Sequence, residues 1–373
     1  MTAKSFLLIS LIFVLFSLDT QAQHRKLKKI QKYIDEATAE NLSGIAIYIK
    51  SPKYGKWTGT SGFSDLENQI PLSKQDVFSM ASIGKMYNAV AALKLAEEGR
   101  FQLDDKISLY LPKEIIENLP GADAVTIRHL LGQTSGFVNY NKDPELNRLY
   151  LSGQLKLDTL SHLEALSMTI YGKPLRNIPG TEYHYSSTNF MLMAMIMDKV
   201  VPEGHSEYLR KMVGRYPNTY YRQTPLSHFV NHYGDLNKDE TLENLTKQTI
   251  ETTNWYIGDD GVYAPIGEAA RFLEDLMKGK ILNEQSLKEM TTWDNEKSPD
   301  YGLGLMADKS FPYKFLMGHS GRGIGNTMDL YYFPKQDMSL AVFCNTGLRS
   351  AHPTFRNTYF KMRAKIVKKL FLF

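Results

Sequence analysis

One cysteine in 373 residues excludes any disulfide within the chain, so the protein is not a small stapled scaffold. That cysteine, Cys344, ends the apolar stretch Leu340–Cys344 and reads as a buried strand thiol rather than a nucleophile. An excess of one charge is also missing. Lys and Arg number 44 against 40 Asp and Glu, a net +4, which argues against a nucleic-acid partner. There is a single long apolar run, Phe6–Leu18, so no bundle of membrane spans is expected. Metal-ligand spacing is absent as well: no Cys-x-x-Cys occurs, and the pair His228 and His232 lacks the acidic helper of a His-Glu-x-x-His helix. Neither a metal nor a cofactor is expected. Internal repeats and low-complexity tracts are missing too.

The apolar run follows Lys4 and ends near Thr20, Gln21 and Ala22, the pattern of a cleaved export signal over residues 1–22. At about a dozen residues it is too short to anchor comfortably in a bilayer. No cysteine lies near the cleavage position, so a lipid-modified N-terminus is not expected. Export to the periplasm or medium is. The remaining ~350 residues exceed what one compact core usually holds and suggest two lobes or an insertion. Positive charge gathers at the two ends: Arg25, Lys26, Lys28, Lys29 and Lys32 flank Leu27, Ile30 and Ile34, while Lys361, Arg363, Lys365, Lys368 and Lys369 accompany Met362, Ile366 and Leu370. Both patterns predict amphipathic helices. Their apolar stripes pack on the protein body, or their charges make weak contact with an anionic envelope surface.

After the first helix, Gly44–Lys50 and Lys56–Phe63 are strand-like around the turn Ser51–Gly55, and Met328–Phe333 with Met338–Phe343 form a matching pair near the other end. Strands at both ends with helical and loop signals between them predict an α/β (α+β) fold. Its antiparallel sheet comes from residues 23–81 and 255–373, flanked by the terminal helices, with a mainly helical lobe inserted over 82–254. Such an insertion leaves a cleft at the junction, where Ser82 stands.

Ser82 is the one serine followed by a lysine three positions on. On a helix that spacing puts hydroxyl and amine on one face, and the unpaired N–H groups of a helix start favour anionic oxygen. The bland alternative is a serine N-cap. About a hundred residues later, the Pro179–Gly180 turn leads through Tyr185 into the apolar segment Phe190–Met197. A phenol titrates near 10, and a neighbouring ammonium favours its anion, which can accept a serine proton; equally, Tyr185 can simply cover the helix start. The third piece, Gly318–Gly325, is dense in glycine beside a strand and permits close approach of a ligand to the backbone.

Taken together in this order, Ser82–Lys85, Tyr185–Ser187 and His319–Gly321 resemble the S-x-x-K, Y-x-N and [K/H]-x-G motifs of the penicillin-recognising serine hydrolases: class C β-lactamases, DD-peptidases and their esterase and D-aminopeptidase relatives. Supporting segments run from about residue 44 to 346 and include Phe78–Lys85, Leu103–Pro112, Ile127–Gly136 and Tyr301–Gly304. The resemblance implies that Ser82 attacks an acyl carbon and holds it as an ester. Lys85 and Tyr185 would share the proton work, with either as the base. The oxyanion would meet the backbone N–H groups of Ser82 and of Arg322, on the edge strand, each such donor being worth about 3 kcal/mol. Ser187, His319, Ser320, Gly321 and Arg322 would line the substrate and oxyanion side.

Two departures bear on the substrate. Ser187 stands where the family has asparagine and loses the amide's paired donor and acceptor. His319 replaces a lysine, so a permanent cation is absent there unless Arg322 supplies one. The expected substrate is therefore an ester or a small D-amino-acid or peptide amide, with β-lactams poor substrates. A β-lactamase or DD-carboxypeptidase, and a catalytically silent ligand binder, are the alternatives.

Overall fold

A computed structural model describes residues 23–225, 227–293, 300–308, 315–349 and 351–371; the expected leader over 1–22 lies outside them. Helix α1 covers residues 23–40. The main sheet has seven strands: β1 (Gly44–Ser51), β2 (Gly55–Asp65), β3 (Ile70–Pro71), β4 (Met306–Asp308), β5 (Leu316–Arg322), β6 (Thr327–Phe333) and β7 (Met338–Cys344), in the order β3-β2-β1-β7-β6-β5-β4. Its named pairs are antiparallel. The two ends of the chain meet where β1 pairs with β7, Ile45 opposite Cys344 and Ile49 opposite Leu340.

The period of two in β1 explains why it lies centrally. Ile45, Ile47 and Ile49 enter one core on the outer face, while Ala46 and Tyr48 enter another on the inner face. Each fully buried isoleucine contributes roughly 1.5–3 kcal/mol. In the outer core, Ile30 and Ile34 of α1 pack beside Met362 and Ile366 of the C-terminal helix Pro353–Phe371. The apolar stripes of both terminal helices thus pack on the sheet; Arg25, Lys28, Lys29, Lys361 and Lys368 stay exposed, whereas Arg363 turns inward to Asp329. Cys344 lies in the same core, where burial pushes its thiol up to about 11.

On the inner face, helices α2 (Gly84–Glu97), α3 (Ser187–Val200) and α4 (Ile266–Met277) pack into one continuous core with Met328, Leu330 and Phe343 of the sheet. The segment 82–254 is mainly helical but also carries the short strands Tyr220–Tyr221, Tyr233–Gly234 and Glu243–Asn244. Tyr220–Tyr221 matters for the site, since it flanks Val262–Pro265, which pairs on its other side with Val77–Ser79. In that register Ser79 faces Tyr263, and the Met80 N–H donates to the Val262 carbonyl at 2.9 Å. The turn before Ser82 is thereby fastened to the turn before Val262, far away in sequence. Among the described residues no helix is long and apolar enough to cross a membrane.

Candidate active site

Ser82 sits in a tight 3₁₀ turn, Ala81–Ile83, that runs directly into α2. No side chain caps either element, so the hydroxyl is not used as an N-cap and is left for other partners. Ala81 holds a φ of 47°, a left-handed conformation costing a non-glycine residue about 1–3 kcal/mol and typical of functional turns. Two glycines make room around the turn. A Cβ on Gly84 would lie 2.6 Å from the Asp260 carbonyl oxygen, and one on Gly321 would lie 2.3 Å from that of Met80. Both approaches are open only to glycine.

Lys85 is fully buried. Its Nζ donates to Ser82 Oγ at 3.3 Å and to Asp259 Oδ2 at 3.2 Å, and lies 5.1 Å from the centre of the Tyr185 ring. Burial alone would lower the lysine pKa. The Asp259 carboxylate, and then the Tyr185 phenol, outweigh it and hold Lys85 above the ordinary lysine value. Serine, lysine and tyrosine therefore converge, together with a carboxylate that the motif comparison did not include. Asp259 is 3% exposed and belongs to the turn Gly258–Gly261, framed by two glycines with φ of 78° and 97°. Beside it, burial and the charge of Asp259 push the Asp260 carboxyl up to about 7.

Tyr185 is half-buried just before α3 and stands edge-on to Tyr301. Ser187 opens α3 and is buried. Its N–H donates to Asn139 Oδ1 at 3.2 Å, and Asn141 Nδ2 donates to its hydroxyl at 3.2 Å. Asn141 also borders the cavity beside Ser82. A carboxamide thus stands beside Ser187 on the cavity wall, brought there by a segment about 46 residues away.

Among the described residues β4 pairs with β5 only over Leu316–Gly318, and beyond that stretch Ser320 and Arg322 border the cavity. Two side chains expected on the substrate side are engaged by the protein itself. His319 is fully buried, and burial with Lys85 nearby pushes its imidazole down to about 3. The Ser320 carbonyl can only accept, so Nδ1 carries the proton toward it at 2.7 Å and Nε2 accepts from the Tyr301 hydroxyl at 3.2 Å. His319 is neutral and held between the Tyr301 hydroxyl and the Ser320 carbonyl. Arg322 does not supply the missing cation: its guanidinium is bound to Asp329 at 2.7 Å and to the carbonyls of Gly321 and Met328. Asp329 is held in turn by Arg363 and Tyr359 of the C-terminal helix. What Arg322 offers the cavity is its backbone. The exposed cations at the mouth are Lys142, which borders the lobe beside Tyr185, and Arg349, which borders both lobes.

Ser82 lies where two lobes of the cleft meet. One, of about 350 Å³, is bordered by Tyr183, Tyr185, Ser187 and Ser320. The other, of about 290 Å³, is bordered by Tyr150, Tyr256, Asp259 and Asp260.

Residues 30–359 match the family model described as Beta-lactamase. Among curated proteins, Protein flp of Staphylococcus aureus is 29% identical over 148 residues, 40% of this chain. The matched part is 28% of that protein's length. Among solved structures, the D-stereospecific amidohydrolase from Streptomyces sp. superposes with a TM-score of 0.74 at 23% identity, over 89% of this chain and 97% of that one. The D-amino acid amidase from Ochrobactrum anthropi SV3 also reaches 0.74, at 19% identity, over 93% and 99%. At these identities the likeness is one of fold.

Proposed function

The chain belongs to the beta-lactamase family, and on that premise we propose that it is an exported serine hydrolase that forms an acyl-enzyme on Ser82 and cleaves an ester or a small D-amino-acid or peptide amide. The observation that carries this reading is the Lys85 ammonium bridging Ser82 Oγ and Asp259 Oδ2.

An ammonium held by a buried carboxylate has no lone pair with which to take a proton. The base is then Tyr185. Ser82 Oγ bonds to the acyl carbon as its proton passes to the Tyr185 oxygen, and Lys85 balances the charge on that oxygen. The negative charge developing on the acyl oxygen meets the N–H groups of Ser82 and Arg322. Tyr185 returns the proton to the leaving alcohol or amine, and water reverses the sequence to free the acid and Ser82. The names of the two structural neighbours support an amide of the D series as substrate. Low activity on β-lactams follows from β5, where His319 is neutral and Arg322 is neutralised by Asp329. Export is supported by the Phe6–Leu18 run, and mass analysis of the mature N-terminus tests cleavage near Ala22.

The substrate reading is tested by pH-stat hydrolysis of phenyl acetate and D-phenylalanine amide beside nitrocefin turnover. The expected result is nitrocefin at least 100-fold lower in kcat/KM than the better of the other two; comparable or faster nitrocefin turnover contradicts it. One observation favours a second reading, a DD-carboxypeptidase or β-lactamase: Arg349 borders both lobes and can meet a substrate carboxylate. In that case Arg349→Ala selectively raises KM for substrates bearing a carboxylate.

A further inference from the structure

Asp259 gives one oxygen to Lys85 and has another to spare. Oδ2 accepts from Nζ, whereas Oδ1 is buried and has no hydrogen-bond partner among the described residues. A buried carboxylate oxygen without a donor costs about 1–3 kcal/mol or more, so its retention calls for an explanation. The residue borders the 290 Å³ lobe that opens on Ser82, and Asp260, Tyr150 and Tyr256 line the same space. Two adjacent carboxyl groups on one wall, one of them with an unused acceptor, form an environment for a cation.

Geometry narrows which cation. Lys85 Nζ is 3.3 Å from Ser82 Oγ and 3.2 Å from Asp259 Oδ2, so the nucleophile and the carboxylate are no further apart than those two distances laid end to end. In an amino-acid ester or amide the α-nitrogen lies about 2.5 Å from the carbonyl carbon, two bonds away. With that carbon attached to Ser82, an α-ammonium is within reach of Asp259. An N-acylated or des-amino substrate brings no charge to this place and leaves the oxygen unpaired.

Resting on the acyl-enzyme reading above, we propose that Asp259, with Asp260 beside it, forms a subsite for a protonated amine on the acyl part of the substrate, so that the preferred substrates are esters or amides of amino acids with a free α-amino group. The Lys85 charge opposes a second cation, and Asp260 offsets it. Burial and Asp259 hold the Asp260 carboxyl up at about 7, and an arriving ammonium favours its ionised form. The other cations bordering this lobe do not compete for the oxygen: Arg322 is held by Asp329, and Arg349 is exposed at the mouth.

The test measures how well D-alaninamide, N-acetyl-D-alaninamide and propionamide protect Ser82 of the full-length mature protein from a fluorophosphonate probe, read by intact mass. D-alaninamide is expected to protect at concentrations at least tenfold lower than either uncharged amide. Asp259→Asn reduces that advantage to within twofold. Asp260→Asn, which leaves the Lys85 partner in place, reduces it several-fold and keeps the question answerable if Asp259→Asn fails to label. Equal protection by the three amides, or an undiminished advantage in both variants, overturns the subsite while leaving the hydrolase reading standing. Absence of labelling in the unmodified protein overturns that reading and the subsite with it.

Discussion

The Lys85 ammonium and the Asp259 carboxylate stand 3.2 Å apart with side chains 0% and 3% exposed. A pair so far from water is held together by mutual need, because removing either partner leaves the other charge uncompensated, at a cost of about 3–5 kcal/mol. The pair fixes the charge state of the one amine beside the nucleophile, and the division of labour between Lys85 and Tyr185 follows from it.

Asp259→Asn removes the charge that opposes the effect of burial on Lys85, so the lysine pKa falls from its raised position. In the unmodified protein the rate of Ser82 labelling is expected to show no alkaline fall below about pH 10, the ordinary lysine range. In Asp259→Asn that fall moves to lower pH, and the pH profile of the labelling rate measures it. An alkaline fall at the same pH in both proteins would contradict this dependence on Asp259.

Asp260 gives a stability effect of definite sign. Its folded-state pKa is raised from 3.8 to about 7, so the folded state binds the proton more tightly than the unfolded one. The resulting stabilisation is complete below pH 3.8 and is lost as pH rises through 7. At 1.36 kcal/mol per pKa unit the change amounts to at most about 4 kcal/mol. Melting temperatures of the unmodified protein and Asp260→Asn at pH 5 and pH 8 check it. The difference in Tm between the two pH values is expected to be smaller in the variant.

Ser82 and Lys85 were legible in the sequence because their relation is local, a three-residue spacing at a helix start; Tyr185, about a hundred residues on, was legible through the order of the motifs and the Pro-Gly turn that sets it before an apolar helix. The central strands were legible for a similar reason. Ile45, Ile47 and Ile49 alternate with Ala46 and Tyr48, and both faces of the sheet need apolar residues. Asp259 has no such rule. Its place depends on the pairing of Val77–Ser79 with Val262–Pro265, a contact between distant segments, and the available hint was an acid pair framed by Gly258 and Gly261 inside an apolar stretch. Asn141 was hidden in the same way. The behaviour of His319 and Arg322 turned on burial and on Asp329, a partner from the next strand, neither of which a motif specifies.

Asn141 holds Ser187 and borders the cavity, so its carboxamide is placed where it can meet a substrate amide. Asn141→Ala is expected to lower kcat/KM for an amide substrate about tenfold and for a matched ester less, since the amide N–H needs a carbonyl acceptor. Equal losses on both substrates would assign Asn141 to the fold alone.

Gly321→Ala places a Cβ 2.3 Å from the Met80 carbonyl oxygen and pushes β5 away from the Ser82 turn. The Arg322 N–H then leaves its place at the oxyanion, at a cost of about 3 kcal/mol or ~100-fold in kcat. Steady-state kinetics read this loss, while far-ultraviolet circular dichroism of the variant is expected to match the unmodified protein.

The acyl-enzyme itself is tested most directly by intact-mass measurement after reaction with a fluorophosphonate. One adduct per chain is expected on the mature protein, none on Ser82→Ala, and at least 100-fold slower formation on Tyr185→Phe, which keeps the ring and removes the proton acceptor. An adduct that persists in Ser82→Ala, or forms at an unchanged rate in Tyr185→Phe, contradicts the account.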